Sequence, residues 1–330
     1  MQVPISSKLR KDVKEIMQQR LSEMAEALKN FYSKKAQEGT PLDLKAIQKD
    51  PMLLLEFQRY SNEVMKLKKF HELIPKDIKF DRVDANGIPC DWVTCPNCEE
   101  NKVLLWLFGG GYVMGSLETR KTFPFLIGRA GNLRSLLVGY RIAPEHPFPA
   151  ALDDAVTAYK WLISSGISPN KIVVGGASAG GGLAVALLLK IKEFNLPIPA
   201  GAVLISPWAD LACTGESWDI NAEYEAGMTK EMLDWMAKAY LKDEDPKNPL
   251  VSPIYGNLEN LPPLLIHAGN CERLRDDSVR LAERAKTAKI DVELKLWDDM
   301  LHVFQQYYNE LPESKQAVEE IAEYIHKILN

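Results

Sequence analysis

The sequence predicts an α/β protein: a central, mostly parallel eight-stranded sheet flanked by helices and carrying a helical cap. Three observations lead there. Beyond about residue 76, short runs rich in Val, Ile and Leu alternate with helical segments; one of those runs ends in glycines around a serine and passes straight into an apolar helix; and residues 1–75 show helical rather than strand periodicity.

In the N-terminal stretch, Leu21, Met24, Leu28 and Phe31 recur at helical spacing, and a second helical run spans Met52 to Phe70 after breaks at Thr40-Pro41 and Asp50-Pro51. These residues form a helical cap region over 1–75. The sheet begins near Ile78, where IKFDRVDA alternates apolar and polar residues and PCDWVT supplies the second arm of a hairpin across Asn86-Gly87. VLLWLF, RSLLVGY, KIVVGG, GAVLIS, PPLLIHAG and DVELKLW complete the eight strands, and their alternation with helices implies parallel pairing covered on both faces. Between Ser206 and Pro263 the chain carries an insertion with a helix from about Thr229 to Leu241. We read residues 76–330 as one catalytic domain with a cap insertion at about 207–245.

Bulk properties narrow the function. A net charge of −5 and a pI near 5.7 provide no basic field for nucleic acid. The longest apolar run, Ala179 to Leu189, is too short to span a membrane and reads as a buried helix. The N-terminus lacks the apolar core of a secretory signal, which makes the cytoplasm the expected compartment. Five cysteines fit a reducing environment. Cys95-Pro-Asn-Cys98 has no second Cys pair to complete a zinc site, and its central Pro-Asn reads as a hairpin turn, so no metal is expected.

The chemistry centres on Val173-Val174-Gly175-Gly176-Ala177-Ser178-Ala179-Gly180. A G-x-S-x-G sequence between a strand and a helix is the nucleophile elbow of the α/β-hydrolase fold. A serine hydroxyl needs a base, and the base needs a partner that holds its tautomer. Of the five histidines, His302 follows the last strand in the order nucleophile, acid, histidine that this fold uses. His267 lies within an apolar strand and reads as a core residue, and His71 and His326 sit in helices away from the sheet's loop edge. The loop after PPLLIHAG offers Glu272, Asp276 and Asp277 as the acid; Glu272 comes first after the strand, but order alone does not exclude the aspartates. The glycine run Gly109-Gly110-Gly111 after another strand can supply backbone donors at Gly109 and Gly110, which with the N–H of Ala179 would form an oxyanion hole.

With those residues in place, the sequence resembles the hormone-sensitive-lipase family of carboxylesterases, the bacterial family IV esterases. FGGGYVMGS stands where that family carries HGGG, YRIAPEHPFPAALDDA precedes the elbow, GASAGGGLA forms it, and SPWADL follows the next strand. The resemblance runs from about Ile78 to the C-terminus. It implies hydrolysis of short-chain acyl esters without a cofactor or metal, a small-molecule ester as partner, no nucleic acid or membrane, and a homodimer or larger homo-oligomer. The family's D-x-L-x-D-[DE] stretch aligns with Glu272-Arg273-Leu274-Arg275-Asp276-Asp277 and puts the acid at Glu272; glutamate in place of aspartate keeps Asp276 in play. By analogy Tyr112, Met114, Trp208 and Met228 line the substrate pocket. Phe108 replaces the family's HGGG histidine, and Ala177 stands where many relatives have aspartate. An amidase or deacetylase would use the same machinery, whereas the related plant gibberellin receptors bind a hormone and lack the triad histidine.

Overall fold

A computed structural model describes residues 6–39, 50–225 and 228–330, with only the backbone described for residues 66–73. Nine helices are defined among these residues: α1 (Lys11–Gln37), α2 (Pro51–Leu73), α3 (Thr122–Ala130), α4 (Ala150–Ser164), α5 (Ala179–Glu193), the single turn α6 (Ser217–Ile220), α7 (Lys230–Leu241), α8 (Arg275–Thr287) and α9 (Pro312–Leu329). The strands are β1 (Lys79–Asp84), β2 (Pro89–Thr94), β3 (Glu99–Leu107), β4 (Leu133–Val138), β5 (Ile172–Ala177), β6 (Gly201–Ile205), β7 (Leu264–Gly269) and β8 (Val292–Trp297).

The eight strands form one sheet in the order β1-β2-β4-β3-β5-β6-β7-β8. β1 and β2 run antiparallel to their neighbours, and from β4 to β8 all pairings are parallel, for example Leu105 opposite Val174 and Leu204 opposite Ile266. Residues at the sheet centre are apolar because helices cover both faces. β5, β6 and β7 are buried at every position, and α5 is buried from Ala179 to Leu189. No described helix is long and apolar enough to cross a membrane.

One expectation changes. Cys95 to Cys98 does form a tight turn, with the Cys98 N–H donating to the Cys95 carbonyl at 3.3 Å, but not a hairpin. β4 lies between β2 and β3, so the turn joins strands that never pair. Parallel pairing of β3 with β4 buries both on two faces, which outweighs the local convenience of a hairpin. Burial pushes the Cys95 thiol up to about 11, opposite to the activation that redox or metal-binding thiols need.

The N-terminal helices dock onto the sheet's loop edge. Phe31 of α1 packs against Phe57 and Tyr60 of α2, each at 5.5 Å between ring centroids. Leu9 and Val13 join Trp297, Met300, Leu301, Phe304 and Tyr307 in a second apolar cluster. On α2, Arg59 donates to the carbonyls of Val113 and Ala143 at 2.9 Å and pairs with Glu145. Asp50, beside the proline break, accepts from the Met52 N–H at 2.9 Å and so caps α2. Thr40-Pro41, the other break, lies outside the described residues, as does the side chain of His71.

Candidate active site

Five adjacent parallel strands each release a loop at their carboxyl ends, and those loops converge on one spot: the glycine run after β3, Ser178 after β5, Ser206 after β6, Glu272 after β7 and His302 after β8. Ligands of open parallel sheets bind at this edge.

Ser178 sits at φ 56° and ψ −124°, a conformation that non-glycine residues rarely adopt. The turn around it is held by close backbone approach. A Cβ on Gly176 would lie 2.1 Å from the Gly180 carbonyl oxygen, and one on Gly180 would lie 2.1 Å from that of Leu107. The second contact ties the elbow to the strand that leads into the glycine run. The Ser178 N–H donates to the Ile205 carbonyl, and its own carbonyl accepts from Trp208 N–H, both at 2.9 Å.

The Ser178 hydroxyl meets His302 Nε2 at 2.9 Å. On the far side of the ring, His302 Nδ1 lies 3.4 Å from Glu272 Oε2. That carboxylate is fully buried and also accepts from the Ser206 hydroxyl at 2.7 Å, while the Ser206 oxygen accepts from the Val303 N–H at 3.1 Å. The other two candidates for the acid are engaged elsewhere. Asp276 accepts from the Ser217 N–H at 2.8 Å, and Asp277 accepts from the N–H groups of Ala209 and Asp210, each at 2.9 Å.

A second buried carboxylate, Glu225, had no sequence signal because it lies in the irregular part of the insertion. It accepts from the His302 N–H at 2.7 Å and the Arg273 N–H at 2.9 Å, clamping the histidine loop to the loop after β7. Burial drives its carboxyl pKa up, although the nearby His302 pulls the other way. For His302 burial opposes the charged form, but Glu272 and then Glu225 outweigh it, and the net shift is upward. Ser206 could have been noticed as the first residue of SPWADL; its role as a bridge between two loops is visible only in three dimensions.

Gly109 packs against the elbow: a Cβ there would lie 3.1 Å from that of Ser178. Among the described residues the N–H groups of Gly109, Gly110 and Ala179 have no protein acceptor, which leaves them available to a substrate oxygen. Phe108 stacks on Tyr140 with centroids 4.1 Å apart, and its carbonyl accepts from the Tyr140 hydroxyl at 2.5 Å. Aromatic stacking and this bond thus anchor the start of the glycine loop. Ala177 belongs to the cavity wall beside the serine.

Above these residues lies a cavity of about 300 Å³. Its floor is Ser178, His302 and the glycine run, and its roof comes from α1 through Met17, Leu21 and Met24 and from α7 through Met232, Leu233 and Met236. Met114 and Met228 line it. Tyr112 and Trp208 do not. Tyr112 stacks on Tyr240 at 3.8 Å, and both it and Trp208 are almost wholly buried behind the wall. Tyr112 has a positive φ of 63°, and its ring belongs to the main apolar core. Of the remaining histidines, His267 is buried in β7 with its pKa lowered to about 4 by desolvation, and His326 bonds the Gly131 carbonyl at 2.9 Å.

A strained serine on a strand-to-helix elbow, a histidine at hydrogen-bond distance and free backbone donors beside it place the chain among the α/β-hydrolases. Residues 104–306 match the family Abhydrolase_3, described as alpha/beta hydrolase fold. The chain is 40% identical to an acetyl-hydrolase of Streptomyces hygroscopicus over 262 residues, covering 75% of this chain and 88% of that protein. It is 37% identical to an esterase of Acinetobacter venetianus, covering 68% of this chain and 74% of that one. Among solved structures it superposes on an esterase from the bacterial hormone-sensitive lipase family with a TM-score of 0.81 at 38% identity, covering 94% of this chain and 99% of that one. The chain belongs to the hormone-sensitive-lipase family of α/β-hydrolases and is a carboxylesterase.

Proposed function

We propose that the protein hydrolyses short-chain acyl esters of small molecules through a Ser178–His302–Glu272 triad and an acyl-enzyme. The observation that carries this reading is the 2.9 Å contact between the Ser178 hydroxyl and His302 Nε2 beneath a mostly apolar cavity. Neutral His302 takes the serine proton as the oxygen attacks the acyl carbon, and Glu272 holds Nδ1–H toward itself and stabilises the imidazolium. The N–H groups of Gly109, Gly110 and Ala179 receive the oxyanion, and each such donor is worth about 10²- to 10³-fold in turnover. The imidazolium then protonates the leaving alcohol, the acyl-enzyme forms, and water activated by the same histidine releases the acid. A cavity of about 300 Å³ suits a small ester, and the acetyl-hydrolase name of one relative agrees with a short acyl group.

The test is hydrolysis of p-nitrophenyl acetate, butyrate, octanoate and palmitate by wild type, Ser178→Ala and His302→Ala, with fluorophosphonate labelling of each. We expect short esters to be cleaved fastest, labelling of wild type, and about 10⁴- to 10⁶-fold lower kcat in both variants. Full activity in Ser178→Ala, or turnover that rises with chain length to palmitate, would refute the proposal.

A further inference from the structure

Among the described residues five titratable groups line the cavity, and four are accounted for. His302 and Glu225 belong to the machinery above, and Arg20 of α1 donates to the Tyr307 hydroxyl at 2.8 Å. Arg120 is the exception. It lines the cavity wall beside the glycine run, its Nη2 3.1 Å from where a Cβ on Gly110 would stand and its Nε 3.0 Å from the same point on Gly115. Nε is buried and has no acceptor, and no carboxylate among the described residues pairs with the guanidinium. Burial lowers its pKa to about 10, with Arg20 contributing in the same direction, so it still carries a full charge at neutral pH. Only Nε is enclosed and the residue as a whole is half-buried, yet a cation held at the wall of a mostly apolar cavity without a counter-ion favours an anionic partner, and a planar guanidinium fork matches a carboxylate.

We infer that the preferred substrate is an ester bearing a second, ionised carboxyl group, which Arg120 binds while the ester carbonyl occupies the neighbouring glycine run. Such a substrate brings the missing counter-ion with it. This rests on the hydrolase reading above and deepens it. Gly110 is both neighbour to Arg120 and a donor to the oxyanion, so the carboxylate stands only a few bonds from the reacting carbon, on either its acyl or its alcohol side.

The experiment pairs each charged ester with a neutral isostere: monoethyl glutarate with ethyl 5-methylhexanoate for the acyl side, and 4-acetoxybutanoate with 4-methylpentyl acetate for the alcohol side. Acid release is followed by pH-stat for wild type, Arg120→Met and Arg120→Lys. In one of the two pairs we expect kcat/KM of wild type to favour the charged member by about 10-fold or more. Arg120→Met should reduce that ratio by about 10- to 100-fold, with Arg120→Lys between. If wild type cleaves neutral esters yet prefers them in both pairs, the inference falls while the hydrolase reading stands. If Arg120→Met slows both members equally, the guanidinium serves the oxyanion loop and not the substrate, and the inference falls as well. Should wild type cleave no ester, the hydrolase reading fails by itself. Calorimetric titration with monoethyl glutarate then decides the anion site: binding weakened by Arg120→Met supports it, and equal or absent binding refutes it.

Discussion

The two halves of the cavity are built differently. The floor is backbone: Ser178, the glycine run and the histidine loop are fixed by carbonyl contacts, by strand pairing and by carboxylates that each hold two groups. The roof is side chain, with methionines from α1, α7 and the insertion meeting over the serine. Thioethers on unbranched chains change rotamer and fill irregular space at little cost. On the proposed mechanism the floor therefore dictates the chemistry, and the roof sets which esters reach it.

Substitutions sharpen this contrast, beginning with the largest effect. Glu272→Gln should lower kcat by about 10³- to 10⁴-fold, because the amide favours the wrong histidine tautomer, whereas Asp276→Asn should leave kcat within about threefold. Steady-state kinetics on p-nitrophenyl acetate separates them. On the same floor, Gly180→Ala forces a Cβ against the Leu107 carbonyl and should cost about 3 kcal/mol or more of stability, read from denaturant unfolding. An equally stable Gly180→Ala protein would mean that the elbow is looser than the backbone contacts imply.

The roof should respond in specificity instead. Met24→Ala or Met228→Ala is expected to shift the preferred acyl length by two or so carbons and to change kcat/KM on acetate by only about two- to fivefold. A profile that keeps its shape would break the comparison. The smallest effect concerns pH. The proposed mechanism needs neutral His302, whose pKa is raised by Glu272 and Glu225 against the opposing effect of burial, so kcat/KM should fall about tenfold per unit on the acid side, with a midpoint above that of a free imidazole. Glu225→Gln removes one raising charge and should move that acid limb to lower pH; a shift to higher pH would contradict the assigned sign.

Sequence legibility follows the same division. Ser178 and the glycine run were readable because a strained turn and a close approach each demand glycine at fixed offsets, and such demands leave a local pattern. His302 was readable from chain order. Tyr112 and Trp208 were assigned to the pocket by analogy, yet they pack behind its wall, since one-dimensional neighbourhood with a motif does not say which way a side chain turns. The Cys95 turn was read as a hairpin because its residues favour one, while the decision to place β4 between the two strands is made by burial across the whole sheet.

What the sequence determined by itself is the strand and helix alternation, the elbow with Ser178 at its tip and the place of His302 after the last strand, which follow from periodicity, local backbone demands and chain order. Only the tertiary structure decided which carboxylate stands behind His302, that Ser206 and Glu225 brace its loop, and that Arg120 lines the cavity with no carboxylate partner among the described residues. Those outcomes depend on distances between residues tens of positions apart, which the packing of separate loops at one sheet edge sets and no local pattern records.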